Sequence, residues 1–289
     1  MLTAGIERRE KIVVKNMRAL LAFIIMVLIV STTSAKAAIL RPEDYLKLRM
    51  LFSEGRLAVM SDEERDYYLD NYDFDEIITA HKYFKVVETS NGTTSTEVTE
   101  AEAIMGSNMI NNGDATNGPT HTTTYKKLHI SATHLSGNGY EIRLYEEWLL
   151  LPSVRSYDVI GIRLYDGTVQ SGSQDGTQTY KQNGNFYYIN YSATGTNIVT
   201  ATNGYGISMN LVDDSTYYSC DTTSVVYATS ALSEVYGSYQ HAIYSVSLSD
   251  SQSYSISHNG YGGVFNFATG VMGAYDGMAG VSLSLPYYS

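Results

Sequence analysis

From Tyr125 to the C-terminus, apolar and polar positions alternate with a period of two. The segments "YKKLHISATHL", "GYEIRLYEEWLLL", "SYDVIGIRLYDG", "NFYYINYSA", "GYGISMNLV", "SVVYATS", "HAIYSVSLS" and "VFNFATG" are rich in Tyr, Val, Ile, Thr and Ser and are separated by Gly, Asn, Asp and Ser. Their recurrence at roughly ten- to fifteen-residue spacings predicts an antiparallel β-sandwich, jelly-roll-like, over 125–289. No exact internal repeat points to a propeller or β-helix.

Upstream the period lengthens. "RPEDYLKLRMLFSEG" places Pro42 at a helix start, gathers Tyr45, Leu46, Leu48, Leu51 and Phe52 near one face, and has Gly55 at its exit. "MSDEERDYYLDNY" opens a second helix with a capping box of Ser61 and Glu64. Together they predict a small helical hairpin over 38–87. The stretch 88–124 is dominated by Thr, Asn, Gly and Ser and reads as a polar linker, with "TEAEAIMGSNMI" able to form one short helix.

The N-terminal pattern differs again. Arg8, Arg9, Lys11, Lys15 and Arg18 precede the uncharged run "ALLAFIIMVLIV" and then "STTSAKA". That order is a secretory signal over 1–37, with cleavage after Ala37 and Met17 as an alternative start. The apolar run falls short of the roughly 20 residues a spanning helix needs, so an uncleaved anchor is the lesser reading. The membrane is then met only through the signal before cleavage.

Charge narrows the partners. The whole chain carries 19 Lys and Arg against 30 Asp and Glu, and six of the former and two of the latter fall within 1–37, leaving a net −15 on the remainder. No Lys or Arg follows Lys181. Nucleic acid is therefore not an expected partner, because phosphate binding requires cations. The single cysteine, Cys220, permits no intramolecular disulfide; in an exported chain that points to a Gram-positive bacterium. Cys220 reads as a small buried residue rather than a nucleophile.

The densest chemistry lies in "EEWLLLPSVRSYDVIGIRL". A strand over 140–151 puts Ile142, Leu144, Glu146, Trp148 and Leu150 on one face; a strand from Arg155 puts Asp158, Ile160, Ile162 and Leu164 on one face. The faces match as a hairpin turning at Pro152. Glu146 and Asp158 thus fall among apolar neighbours and must be paired, hydrogen-bonded or protonated. Arg155 is the expected partner of Asp158. The catalytic reading makes the two acids a glycosidase pair beside a stacking Trp148; the preferred structural reading has them capping and pairing at the end of the sheet. Neither a nucleophile elbow nor a phosphate loop is present. His81, His121, His129, His134, His241 and His258 meet no metal-ligand spacing, and Asp213 with Asp214 read as solvated rather than as calcium ligands. No metal or cofactor is expected. The 26 Tyr suit half-buried strands; Trp148, Arg155, Tyr157, Tyr187 and Tyr188 are the candidate binding residues, the last two as a stacking surface for sugar rings.

Trp148, Pro152, Arg155, Ser156, Tyr157, Asp158, Val159 and Ile160, with "YKKL" before them and "GYGGVFNFATG" and "GVSLSL" after, resemble a group of uncharacterised exported proteins of Gram-positive bacteria. The resemblance implies a shared fold and no particular activity. The expectation is a secreted, non-enzymatic module that binds a cell-wall glycan or a surface protein. The alternatives are a glycan-active hydrolase using Glu146 and Asp158, and a self-assembling surface component.

Overall fold

The computed structural model describes residues 40–89, 92–112, 121–256, 263–277 and 279–288. The expected leader over 1–37, the cleavage point, Met17 and His258 lie outside these residues. Among those described, the chain is mainly β, and every pair of strands is antiparallel.

Three short helices come first, α1 (Pro42–Leu48), α2 (Glu54–Val59) and α3 (Asp62–Asn71). The sequence predicted two. The extra break arises at Ser53, whose backbone turns extended and whose hydroxyl accepts the Arg56 N–H at 3.1 Å, so a new helix starts where the first was expected to run on. Gly55 is therefore inside α2 rather than at an exit, and a side chain there would strike the ring of Tyr217. Ser61 does cap α3, accepting the Glu64 N–H, but the Glu64 carboxylate pairs with Arg56 at 2.5 Å instead of returning to the cap. Leu48, Leu51, Phe52, Leu57 and Met60 form one cluster with Phe74 and Ile77.

The stretch expected to be a linker is structured over most of its length. Strand β1 (Ile78–Thr89) runs into it, β2 (Gly92–Val98) pairs back along β1, and helix α4 (Glu100–Asn111) follows. Its Thr-rich composition is that of an edge strand, where β-branched residues favour extension and one side faces water. Thr99 and Glu102 make the reciprocal capping box that starts α4, at 3.2 and 2.8 Å. Ala103 packs this helix on Tyr83 and Tyr125. The sheet thus begins at Ile78, not at Tyr125.

The larger sheet continues with β3 (His121–Ser136) and β4 (Gly139–Leu150), and its strand order is β2-β1-β3-β4-β11-β7-β8, with β11 (Tyr218–Ala228), β7 (Asp175–Gln182) and β8 (Asn185–Ser192). The smaller sheet has the order β15-β12-β5-β10-β9, built from β15 (Ala279–Ser284), β12 (Glu234–Gln240), β5 (Tyr157–Tyr165), β10 (Gly204–Asn210) and β9 (Ile198–Ala201); β6 (Gly167–Val169) also pairs with β11, and β13 (Tyr254–Ile256) with β14 (Phe265–Phe267) in a separate ribbon. Leu128, Ile130, Ile142, Leu144 and Val226 of the first meet Ile160, Ile162, Ile207, Val235 and Val281 of the second in one core. Two expectations are corrected here. The run β2-β1-β3-β4 is not the interlocked Greek key of a jelly roll. Further, β4 and β5 are not a hairpin: β4 pairs with β3 and β11, β5 with β10 and β12, and Leu151–Ser156 crosses between the sheets. Alternation specifies which face a side chain takes but not which strand lies beside it.

Candidate functional site

The crossing at Pro152 places Glu146 and Asp158 on opposite sheets, both directed inward. The faces are those the alternation predicts: Ile142, Leu144, Glu146 and Trp148 line one inner surface, and Asp158, Ile160, Ile162 and Leu164 the other, all buried. Arg155 does not pair with Asp158. Its guanidinium lies over the Tyr218 ring at 5.0 Å and donates to the Val154 carbonyl at 3.4 Å.

Asp158 is served instead by β12 and the segment after it. Tyr239 Oη and the Ala242 N–H donate to its two oxygens, the latter at 2.9 Å, and His241 Nδ1 stands 3.0 Å from both. The carboxylate only accepts, so Nδ1 carries its hydrogen toward Asp158. Trp148 Nε1 donates to Tyr239 Oη at 3.2 Å, linking the tryptophan to the same chain of bonds. The far ring nitrogen of His241 faces Glu88 Oε1 at 3.9 Å, and Glu88 accepts from Ser153 Oγ at 3.2 Å.

Next to this chain sits Lys126. Strand β3 sends Lys126, Leu128, Ile130 and Ala132 to the core, so the lysine is interior by phase. Its ammonium pairs with Asp276, whose other oxygen accepts the His241 N–H at 2.9 Å. The rings of Trp148 and Tyr239 flank the ammonium at 5.4 and 5.2 Å.

Glu146 completes the group. It lies opposite Leu128 on one side and Cys220 on the other. It is 0 % exposed, and neither carboxylate oxygen has a hydrogen-bond partner among the described residues. Burial pushes its pKa well above the usual carboxylate range; Lys126 opposes this and Asp158 and Glu147 add to it, so the neutral acid is favoured. Burial likewise pushes the Cys220 thiol and the Tyr239 phenol well up, keeping both protonated.

Sequence reasoning therefore found Glu146, Trp148 and Asp158 and missed Lys126, Tyr239, His241 and Asp276. Lys126 was detectable from its phase with Leu128 and Ile130. His241 and Asp276 stand outside the strands and carry no periodic signal. Among the described residues, no group of three or more His, Cys, Asp and Glu side chains is placed to hold a metal ion. His129 is buried against the Met50 carbonyl at 3.0 Å and pushed down to about 3, first by burial and then by Lys127.

The remaining candidates lie elsewhere. Tyr157 is half-buried on the opposite face of β5, its carbonyl accepting from Tyr275 Oη at 3.0 Å. Tyr187 and Tyr188 belong to β8, which lies at the end of the large sheet's strand order. The β7–β8 hairpin turns on Asn183 and Gly184, both left-handed (φ 50° and 81°), a two-residue turn of the primed kind. Tyr187 stacks on Tyr180 at 5.6 Å and 24°, with Ile189 and Tyr191 on the same face. Tyr188 is 42 % and Ile189 36 % exposed.

No protein-family model matches the chain, and no curated protein matches it. Among solved structures, one titled "BspA_C_WT" aligns over 57 % of this chain and 86 % of that chain, at 9 % identity and a TM-score of 0.22. A likeness of that size carries no argument about activity. No helix among the described residues is long and apolar enough to cross a membrane.

Proposed function

We propose that the chain is an exported, non-enzymatic β-sandwich module of a Gram-positive bacterium that binds glycan at the cell surface through the aromatic edge of β7 and β8. The carrying observation is the Tyr180–Tyr187 stack at the turn end of the hairpin: Tyr180 and, further along, Tyr191 pack against the core, while half-buried Tyr187 and exposed Ile189 bring that face to the sheet's edge. The flat face of Tyr187, flanked on the same side of the hairpin by Asn185 and Gln182, suits a sugar ring, whose apolar face packs while its hydroxyls find polar partners. The net charge favours a neutral ligand over an anionic one. Glu146 and Asp158 support the same reading, since both are 0 % exposed and neither meets a ligand from solution.

The test is sedimentation with peptidoglycan and a glycan array, using the secreted chain and its Tyr187→Ala and Tyr188→Ala variants. Loss of one aromatic contact should weaken binding by roughly tenfold. Absence of glycan binding by the folded chain, or unchanged binding in both variants, refutes the proposal; capture of a surface protein along β8 would favour peptide addition to the edge instead.

A further inference from the structure

Lys126, Asp276 and Glu146 form a combination that charge pairing alone does not explain. The lysine and aspartate side chains are in contact and each is 0 % exposed. Glu146 lies two residues along the neighbouring strand from the partner of Lys126: the register sets Lys126 opposite Trp148 and Leu128 opposite Glu146. Diagonal neighbours on one face of a sheet are within reach of long side chains. Trp148 and Tyr239 wall the site from the sides, and the His241 N–H holds one oxygen of Asp276. An amine, a carboxyl group and a separate carboxylic acid thus share a dry compartment, with a backbone donor fixed on the carboxyl oxygen.

We propose that Lys126 and Asp276 are joined by an intramolecular isopeptide bond that the folded chain forms by itself, with Glu146 shuttling the protons. Transfer of a proton from the Lys126 ammonium to Asp276 removes both charges, which burial favours. The Nζ lone pair then attacks Cγ of Asp276, and the developing negative charge on Oδ1 is met by the His241 N–H. Glu146 gives its proton to the departing Oδ2 hydroxyl and recovers one from Nζ. The Nζ–Cγ bond forms, the Cγ–Oδ2 bond breaks and one water leaves. The ammonium and carboxylate have become an amide, Glu146 is regenerated, and nothing is oxidised or reduced. Fixed proximity supplies the driving geometry, as in other intramolecular acylations.

The bond would tie β3 of the larger sheet to the segment entering β15 of the smaller one, closing a span of 150 residues. It would staple an exported chain that has one cysteine and so no internal disulfide.

The experiment is intact mass spectrometry of the purified, denatured protein against its own sequence mass, with the N-terminus determined. The wild type should weigh less by one water and yield a branched proteolytic peptide joining the segments around Lys126 and Asp276. Lys126→Arg, Asp276→Ala and Glu146→Gln should show the full sequence mass, while Asp276→Asn should still react and lose ammonia instead of water. Circular dichroism of each variant establishes that it is folded. Wild-type protein at its full sequence mass overturns the proposal without reference to any variant. A folded Glu146→Gln protein that still loses water overturns the role given to Glu146.

Discussion

Replacing Glu147 by Gln should release the helical segment from the larger sheet. Glu147 points outward from β4, opposite in direction to Glu146, and donors converge on it from three elements. Arg49 binds both oxygens, at 2.9 and 2.6 Å, the Glu54 N–H at the start of α2 meets Oε1, and Tyr217 Oη donates to Oε1 at 3.2 Å. The Arg49 and Glu147 side chains are 17 % and 7 % exposed, so the pair is largely out of water. Removing one partner of a fully buried pair costs about 3–5 kcal/mol. The cost here should be lower, because the amide oxygen of Gln still accepts and Arg49 keeps the Phe52 carbonyl at 2.8 Å and the face of Tyr145 at 5.3 Å. A loss of about 2–3 kcal/mol follows, equivalent to a roughly 30- to 150-fold rise in local opening.

Amide hydrogen exchange is the assay. Protection should fall by that factor in α1 and α2 and remain unchanged in the core strands β4, β5 and β11. A double replacement, Arg49→Met with Glu147→Met, should recover most of the protection, since an apolar pair removes both the attraction and the desolvation cost. Unchanged exchange in Glu147→Gln, or a loss spread equally over both sheets, would refute the claim that this carboxylate fastens the helices.

Two further outcomes are expected. Burial pushes Asp221 up to about 6, against the hydrogen bonds from the Ser53 N–H and hydroxyl, so the folded state holds its proton more tightly than the unfolded chain; stability should be complete below the usual aspartate value and decline as pH rises through about 6, and Asp221→Asn should flatten that part of a urea-midpoint profile. Gly161→Ala should lower the melting temperature by several degrees, because the added carbon would strike the Tyr205 carbonyl and approach Gly206 Cα to 2.7 Å, forcing β10 off β5, at a cost of about 1–3 kcal/mol; an unchanged melting temperature would mean that the two strands can part there freely.

What the sequence made legible divides along physical lines. The inward phase of Glu146, Trp148, Asp158 and Ile160 was readable because a strand has a period of two whatever its neighbours are. That β4 and β5 enter different sheets was not, since both strands are packed on both faces and present the same alternation whether they pair or cross. The segment after Thr89 was misread because its threonines were weighed as polar rather than as β-branched, although "TEAE" at Thr99 carried a cap signature. The site was half legible: residues within strands showed by their phase, whereas His241 and Asp276 were brought in by segments whose course depends on the packed core. Proximity in the sequence favours Arg155 as the partner of Asp158, whereas the fold gives that aspartate His241 from 83 residues away.

A purely structural role explains only part of this interior chemistry. Asp158 needs no other explanation, since Tyr239, His241 and the Ala242 N–H satisfy it. Glu146 does: with no partner for either oxygen among the described residues, even the neutral acid costs about 1–3 kcal/mol, and Leu or Met would fill the same space without that cost. The Lys126–Asp276 pair is a second net cost, because a buried ion pair rarely outperforms an apolar replacement. These two costs occur side by side, and a single event removes both. Condensation turns the ammonium and carboxylate into one neutral amide and gives Glu146 a polar group to bond. The chain-entropy gain from closing a span of 150 residues is about 5 kcal/mol, comparable to or larger than the penalty of assembling the three groups. The unbonded state is therefore the costly precursor, and the covalent state is the one in which the buried lysine, aspartate and glutamate are compatible with the rest of the core.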